Sequence, residues 1–338
     1  MVLGNHDNTG YVGGDGANNA RGEFQVDYHY RDGRMTERWR MPERYYRHAA
    51  GTRSNGQPLV EFFALDSNPI AATVADADYD YSWRRYGLVQ MNWTTDAIAN
   101  SEATFKVALA HHPYLSNGQH GNAGNYDGVP SELLPGLAGK HWQDFLEEAV
   151  CDRADFYMAG HDHDLQALEP VPRCGRTEFI VSGAAGKTRS LADPQRNPAR
   201  FQQGDSYGFF WLRARAADPE AGRAAQLCAE AYTVQPDTDG LGVVQDGALA
   251  PAWRHCYAKR KPAGLPPSRA FSGSPYAPSP VADLGAAGAT LDPAFAGPLE
   301  EFRDTLISGF NRVAAEMPGE TGQTVAEIAG GGDTLLMA

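Results

Sequence analysis

Three short segments of this chain carry side chains able to hold a metal ion: Gly4-Asn5-His6-Asp7, His111-His112-Pro113 and Gly160-His161-Asp162-His163. In the last, two imidazoles one residue apart on a Gly-started turn can both face one point, and neutral imidazole is the commonest protein metal ligand. An isolated His-x-His is more simply a turn with two ordinary histidines, so the other two segments decide the matter. Each of the three follows an apolar run (Met1-Val2-Leu3, Phe105 to Ala110, Phe156-Tyr157-Met158), so all three can line one edge of a sheet. An Asn carbonyl oxygen together with imidazoles makes a mixed oxygen and nitrogen site suited to iron, zinc or manganese. Three coincident clusters favour a metal site over a structural turn.

The elements that must position these residues alternate between strand and helix patterns. Val60 to Leu65 reads as a continuous apolar strand, and Phe105 to Ala110, the Phe156 run and Thr177 to Ser182 as further strands. Lys140 to Val150 has Trp142, Phe145, Leu146 and Ala149 on one helical face, and Gln90 to Ser101 is a weaker helix anchored by Trp93 and Ile98. Residues 8 to 34, rich in Gly, Asn and Asp, read as a long loop, as does the His120-bearing stretch from Gly118 to Gly128. Arg38 to Tyr46 is an aromatic and basic segment suited to a domain edge. Gly208 to Ala214 and Ala225 to Tyr232 alternate and form a closing antiparallel pair. The result is an α/β domain with its polar, His-rich segments just past the C-terminal ends of strands, where ligands bind in open α/β sheets.

The formal charge of −13 argues against a nucleic-acid partner, which would need clustered Lys and Arg. Phosphate chemistry would then depend on local positive charge, which bound cations supply. No apolar run is long enough to span a membrane. The four cysteines have no Cys-x-x-Cys spacing. Their order permits Cys151–Cys174 and Cys228–Cys256 disulfides, with buried free thiols equally open. Residues 1–262 are expected to form one domain. Residues 263–338 form a Pro, Ala and Gly-rich tail with one amphipathic helix over about 298–317, its apolar face built by Leu299, Phe302, Leu306, Phe310 and Val313.

In order and register, the three segments resemble the motifs of the calcineurin-like metallophosphoesterase superfamily. Within it the chain is most similar to the purple (tartrate-resistant) acid phosphatases, through Arg38-Trp39, Pro42, Tyr45-Tyr46, Asp66, the Gly160 to Gln166 stretch and Val181-Ser182-Gly183-Ala184. The resemblance covers roughly residues 1 to 235. It implies a partial metallophosphoesterase β-sandwich flanked by helices and a binuclear centre of two divalent or trivalent ions, iron with iron, zinc or manganese. Asn5, His111 and His161 would hold one ion and His163 would serve the other. His6 would contact the phosphate or leaving oxygen, His120 would protonate the leaving alkoxide or hold the phosphate, and Asp7 would orient His6. His112 would support the site without ligating, and Asp162 and Asp164 would form the turn. Lys187 and Arg189 read as a solvated loop, and His29, His48, His141 and His255 as surface or packing residues. The expected substrate is a small phosphorylated molecule and the setting periplasmic or extracellular.

The family also places an Asp-x-His/Gly motif and a Gly-Asp motif ahead of Gly-Asn-His-Asp, supplying the bridging aspartate and most ligands of the ion that His163 serves. The chain opens in mid-strand, so the first strands are expected upstream, with Met1 an internal methionine. Three functions follow: hydrolysis of phosphate monoesters, a catalytically impaired remnant or single-metal binding module, and a phosphodiesterase or nucleotidase of the same superfamily.

Overall fold

The computed structural model describes residues 1–8, 14, 16–36, 38–236 and 250–260. The expected tail and its helix over about 298–317 lie outside the described residues. In chain order the elements are α1 (Asn5–Asn8), α2 (Gly22–Tyr30), β1 (Tyr46–Thr52), β2 (Pro58–Ala64), α3 (Asn68–Ala71), α4 (Leu88–Ala99), β3 (Phe105–Leu109), α5 (Lys140–Ala149) and β4 (Phe156–Ala159). They continue with β5 (Leu165–Leu168), β6 (Glu178–Ser182), β7 (Ala199–Gln203), β8 (Tyr207–Arg215), β9 (Gln226–Val234) and β10 (Trp253–Ala258).

Seven strands form a mixed sheet in the order β1-β2-β3-β4-β6-β5-β7, whose middle, β2, β3, β4 and β6, is parallel. β4 and β6 are buried at every position, because a parallel strand covered on both faces has no side to leave polar. One cover is the antiparallel sheet β10-β9-β8: Phe210, Leu227, Ala229, Ala231 and Tyr257 share a core with Val107, Phe156, Met158 and Ile180. On the opposite face Tyr157 meets Trp142 of α5, with ring centroids 6.5 Å apart. The protein is thus α/β, with two stacked sheets and helices on the outer face of the larger one. Trp142, Phe145, Leu146 and Ala149 are all buried in α5. In α4 the buried anchors are Met91 and Ile98, while Trp93 is half-buried and packs edge-on against Tyr45.

Three expectations change. The segment 8 to 34 contains α2, whose buried residues, Gly22 and Val26, are too few to give a helical apolar period. Met1 to Leu3 is not in a described strand, although Leu3 is buried against Val26 and Met41. β1, β5, β7 and β10 have no counterpart in the sequence reading. β1 is largely exposed at one sheet edge, and β5, only four residues long, follows directly on the expected turn. The cysteines pair as their order suggested, Cys151 with Cys174 and Cys228 with Cys256, the second pair lying directly opposite across β9 and β10.

A buried ion pair ties the first turn to the sheet. Arg44 Nε donates to Asp66 Oδ2 at 2.7 Å, Nη1 to Asn19 O at 2.9 Å, and Nη2 to Asn8 Oδ1. Tyr86 Oη, in a single π-helical turn ahead of α4, donates to the same Asp66 oxygen at 2.8 Å. The Gln90 amide brackets the Asp66 backbone, accepting from its N–H at 2.7 Å and donating to its O at 2.9 Å. Breaking such a pair leaves an uncompensated buried carboxylate. Arg44→Met is therefore expected to cost about 3–5 kcal/mol of unfolding free energy in urea titrations; a loss below about 1 kcal/mol would show that Asp66 does not depend on Arg44.

Candidate metal centre

The parallel β3–β4 ladder extends one step past both strands. Ala110 N–H donates to Met158 O at 3.0 Å, and Gly160 N–H donates to His111 O at 3.0 Å. This places the residues after the two strands, His111 and His161, side by side. His161 then has φ of +64°, and Asp162 N–H donates back to Gly160 O at 2.8 Å, a tight γ-turn that a non-glycine residue adopts only under constraint. The turn brings His161 Nδ1 to 3.0 Å from His111 Nε2.

Asn5 approaches from the opposite side on the turn Gly4 to Asn8. Gly4 N–H donates to Asp7 Oδ2 at 2.8 Å, and Asn8 Nδ2 donates to Gly4 O at 2.9 Å. Arg44 fastens Asn8, so Asn5 Oδ1 lies 2.7 Å from His111 Nε2. An imidazole nitrogen has one in-plane site, holding either a proton or a lone pair, so His111 Nε2 cannot satisfy both neighbours with ordinary linear hydrogen bonds. Atoms bound to one cation at about 2.1 Å sit about 3.0 Å apart at neighbouring corners of an octahedron and about 3.4 Å apart in a tetrahedron, so the 2.7 and 3.0 Å spacings here need only a small opening to admit one. Among the described residues no group of three or more His, Cys, Asp or Glu side chains is arranged to hold a metal. In this cluster the third donor is an amide oxygen, and the chemistry and spacing of the set fit a cation.

The electrostatics suit ligands. Burial, reinforced by the neighbouring imidazoles, holds His111 and His161 well below the usual histidine range, so both keep lone pairs at neutral pH. Burial together with Arg189 and Lys187 lowers His163 to about 4. His163 lines the same cleft, of about 70 Å³, as Asn5, His6, His111, His161 and Lys187. Its Nδ1 is buried without a hydrogen-bond partner among the described residues, as is Nδ1 of His111.

The other expected residues fall as follows. His6 is exposed on the rim of the cleft. The described hydrogen bonds of Asp7 come from Gly4 N–H and, at 3.1 Å, from Gln25 Nε2, and they stabilise its own turn and α2. His120 packs against His161 with ring centroids 4.2 Å apart and planes tilted by 38°, and its Nδ1 lies 2.8 Å from Asp127 Oδ1. Burial alone would lower its pKa, but Asp127 and Asp162 outweigh that and raise it. His112 is buried, with Nδ1 2.9 Å from Ser67 Oγ, and packs against His111 and His161. Lys187 is exposed at the cleft, and Arg189 is tied to Gln119 Oε1 at 2.5 Å, so the loop after Gly183 faces the site.

Asp162 and Asp164 lie in the turn as expected, and their buried carboxyl groups also brace it. Asp162 accepts from Ser116 Oγ and, at 2.9 Å, from His120 N–H. Asp164 accepts from Gln166 Nε2 at 2.6 Å, and burial pushes its carboxyl up to about 7, the Gln166 bond offsetting only part. Asn117 extends the brace, its Oδ1 accepting from Asn197 N–H at 2.8 Å and its Nδ2 donating to Gln202 Oε1 at 2.8 Å. The sequence held no sign of this, since Asn117 and Asn197 lie 80 positions apart in polar stretches.

No family model matches the chain. Among curated proteins it is 30% identical to purple acid phosphatase 7 of Arabidopsis thaliana over 137 residues, 38% of this chain and 36% of that protein. It is 31% identical to purple acid phosphatase 17 of the same plant, over 48% of this chain and 46% of the relative. It is 25% identical to tartrate-resistant acid phosphatase type 5 of Sus scrofa, over 59% and 49%. A solved structure of PhoD aligns with a TM-score of 0.40 at 16% identity, over 64% of this chain and 42% of that one. The matched stretch spans half or less of the length of each of these curated relatives. The chain is a relative of the purple acid phosphatases, enzymes of the calcineurin-like metallophosphoesterase class.

Gly183 sits where a side chain cannot: a Cβ there would fall 2.0 Å from Asp162 O. Gly183→Ala is therefore expected to lower unfolding stability by about 1–3 kcal/mol in a urea titration; an unchanged midpoint would mean that the His161 turn is not packed against this loop.

Proposed function

We propose that the protein is a metal-dependent phosphoester hydrolase acting on small phosphate monoesters, with Asn5, His111 and His161 holding one cation and His163 serving a second. The observation that carries this reading is the convergence of Asn5 Oδ1, His111 Nε2 and His161 Nδ1 within 2.7 and 3.0 Å. Its sequence relatives are phosphatases by name, which supports the reaction class. The ions, iron with iron, zinc or manganese, would supply positive charge for the phosphoryl oxygens and an activated water for in-line attack.

The chain's own residues have separable tasks. His6, exposed at the rim, donates to a phosphoryl oxygen, and the Lys187 ammonium adds positive charge to an otherwise acidic molecule. As the phosphorus–oxygen bond to the leaving group breaks, His120 gives that oxygen a proton and the attacking water's oxygen remains on phosphorus. Asp7 holds the turn that presents Asn5 and His6. Among the described residues no helix is long and apolar enough to cross a membrane. The two disulfides favour an oxidising setting, extracellular or periplasmic. A second reading, a single-cation binding module without turnover, is favoured by the donor count, three described side chains around one point and His163 alone beside it.

Hydrolysis of p-nitrophenyl phosphate by the full chain with added iron, zinc or manganese tests the two readings. The hydrolase reading expects metal-dependent turnover, lowered about 100-fold or more in His161→Ala. It also expects a KM raised several-fold, with kcat little changed, in Lys187→Ala. A folded, metal-loaded protein without turnover would overturn it in favour of the binding module, and faster hydrolysis of bis-p-nitrophenyl phosphate would move the substrate class to diesters.

A further inference from the structure

The loop 118–128 is built as a rigid holder for one imidazole. Its ends are bolted down: Tyr126 is buried with its Oη donating to Pro113 O, Ser116 N–H donates to Asn122 Oδ1 at 2.9 Å, and Asp162 takes the His120 N–H. Asp127 then grips His120 twice. Its N–H donates to His120 O at 2.9 Å, and its Oδ1 lies 2.8 Å from His120 Nδ1. Asp127 does this with φ of +53°, in the left-handed region. Aspartate reaches this region more readily than most non-glycine residues, and here the conformation sets both its N–H and its carboxylate against His120.

We propose that Asp127 is a positioning residue for His120, fixing its neutral ring as the Nδ1–H tautomer so that Nε2 is the nitrogen that handles the proton of the leaving group. A carboxylate can only accept, so the proton between the two groups resides on Nδ1 when the ring is neutral. Nε2 makes no described hydrogen bond, and the tilted contact with the His161 ring keeps the ring beside the cation site. In the reaction Nε2–H transfers its proton to the leaving oxygen, which takes the electron pair of the breaking phosphorus–oxygen bond. The ring is left neutral with Nδ1–H still donated to Asp127. Asp127 touches no substrate and acts through His120. Its catalytic consequence rests on the hydrolase reading above; the tautomer does not.

Two measurements on the full chain decide the matter. With the protein labelled in its histidine nitrogens, at a pH where His120 is neutral and with His120→Gln to assign the signal, NMR is expected to show Nδ1–H in the wild type and a shift toward Nε2–H in Asp127→Ala. An unchanged tautomer in Asp127→Ala overturns the inference whatever the kinetics. In the metal-loaded enzyme, Asp127→Ala is expected to lower kcat for an alkyl phosphate about tenfold or more while changing p-nitrophenyl phosphate, whose leaving group needs little protonation, less than about threefold. KM should hold, and Asp127→Glu should restore much of the loss. Equal losses for both esters would reduce Asp127 to a loop brace and overturn its role in proton transfer. If the wild type hydrolyses neither ester, the hydrolase reading falls, and the tautomer still decides what Asp127 does.

Discussion

Much of this site follows from one hydrogen bond, from Gly160 N–H to His111 O, that carries the β3–β4 ladder one step beyond the strands. Adjacent parallel strands end at the same edge, and this extra rung sets the two residues that follow them at neighbouring positions. The γ-turn at His161 is the local cost of turning its ring back toward His111 rather than out to solvent. Once both rings are set, Asn5 needs only a turn of fixed height opposite them. Asp7 caps that turn, and the buried Arg44 anchors its far end at Asn8.

Charge is distributed to match. The chain is strongly acidic, yet the cleft is lined by imidazoles that burial keeps neutral, with Lys187 at its edge. The buried carboxylates closest in sequence to the ligands, Asp162 and Asp164, are turned away and spent on Ser116, His120 and Gln166. A cleft of neutral nitrogen donors and an amide oxygen accepts a cation without a compensating anion, leaving its charge available to a phosphoryl group. The covering sheet and helices make the strands rigid enough to hold these spacings.

The strands that carry the site were legible because buried parallel strands are continuously apolar, and each ended in a recognisable polar cluster. Thus Phe105 to Ala110 and the Phe156 run pointed directly to His111 and His161. What stayed hidden depends on contacts between distant polar residues. Asp127 follows His120 by seven positions inside a Gly and Asn-rich loop, a spacing with no periodic signature. Asp162 and Asp164 looked like turn formers, since an aspartate in a turn has the same sequence appearance whether it faces water or Ser116. The peripheral strands were missed for a related reason: β1 is largely exposed and β7 only half buried, and both owe their pairing to the neighbour rather than to their own composition. α2 was missed because its packing rests on Gly22 and Val26 alone.

The central claim is that Asn5, His111 and His161 are arranged for one cation. It is tested most directly by a crystal structure of the full chain grown with zinc or manganese, with diffraction data collected at the metal's absorption edge. The account predicts an anomalous peak about 2.0–2.2 Å from Asn5 Oδ1, His111 Nε2 and His161 Nδ1, absent when His161 is replaced by alanine. Metal bound elsewhere, with these three side chains still hydrogen-bonded to one another, would contradict it.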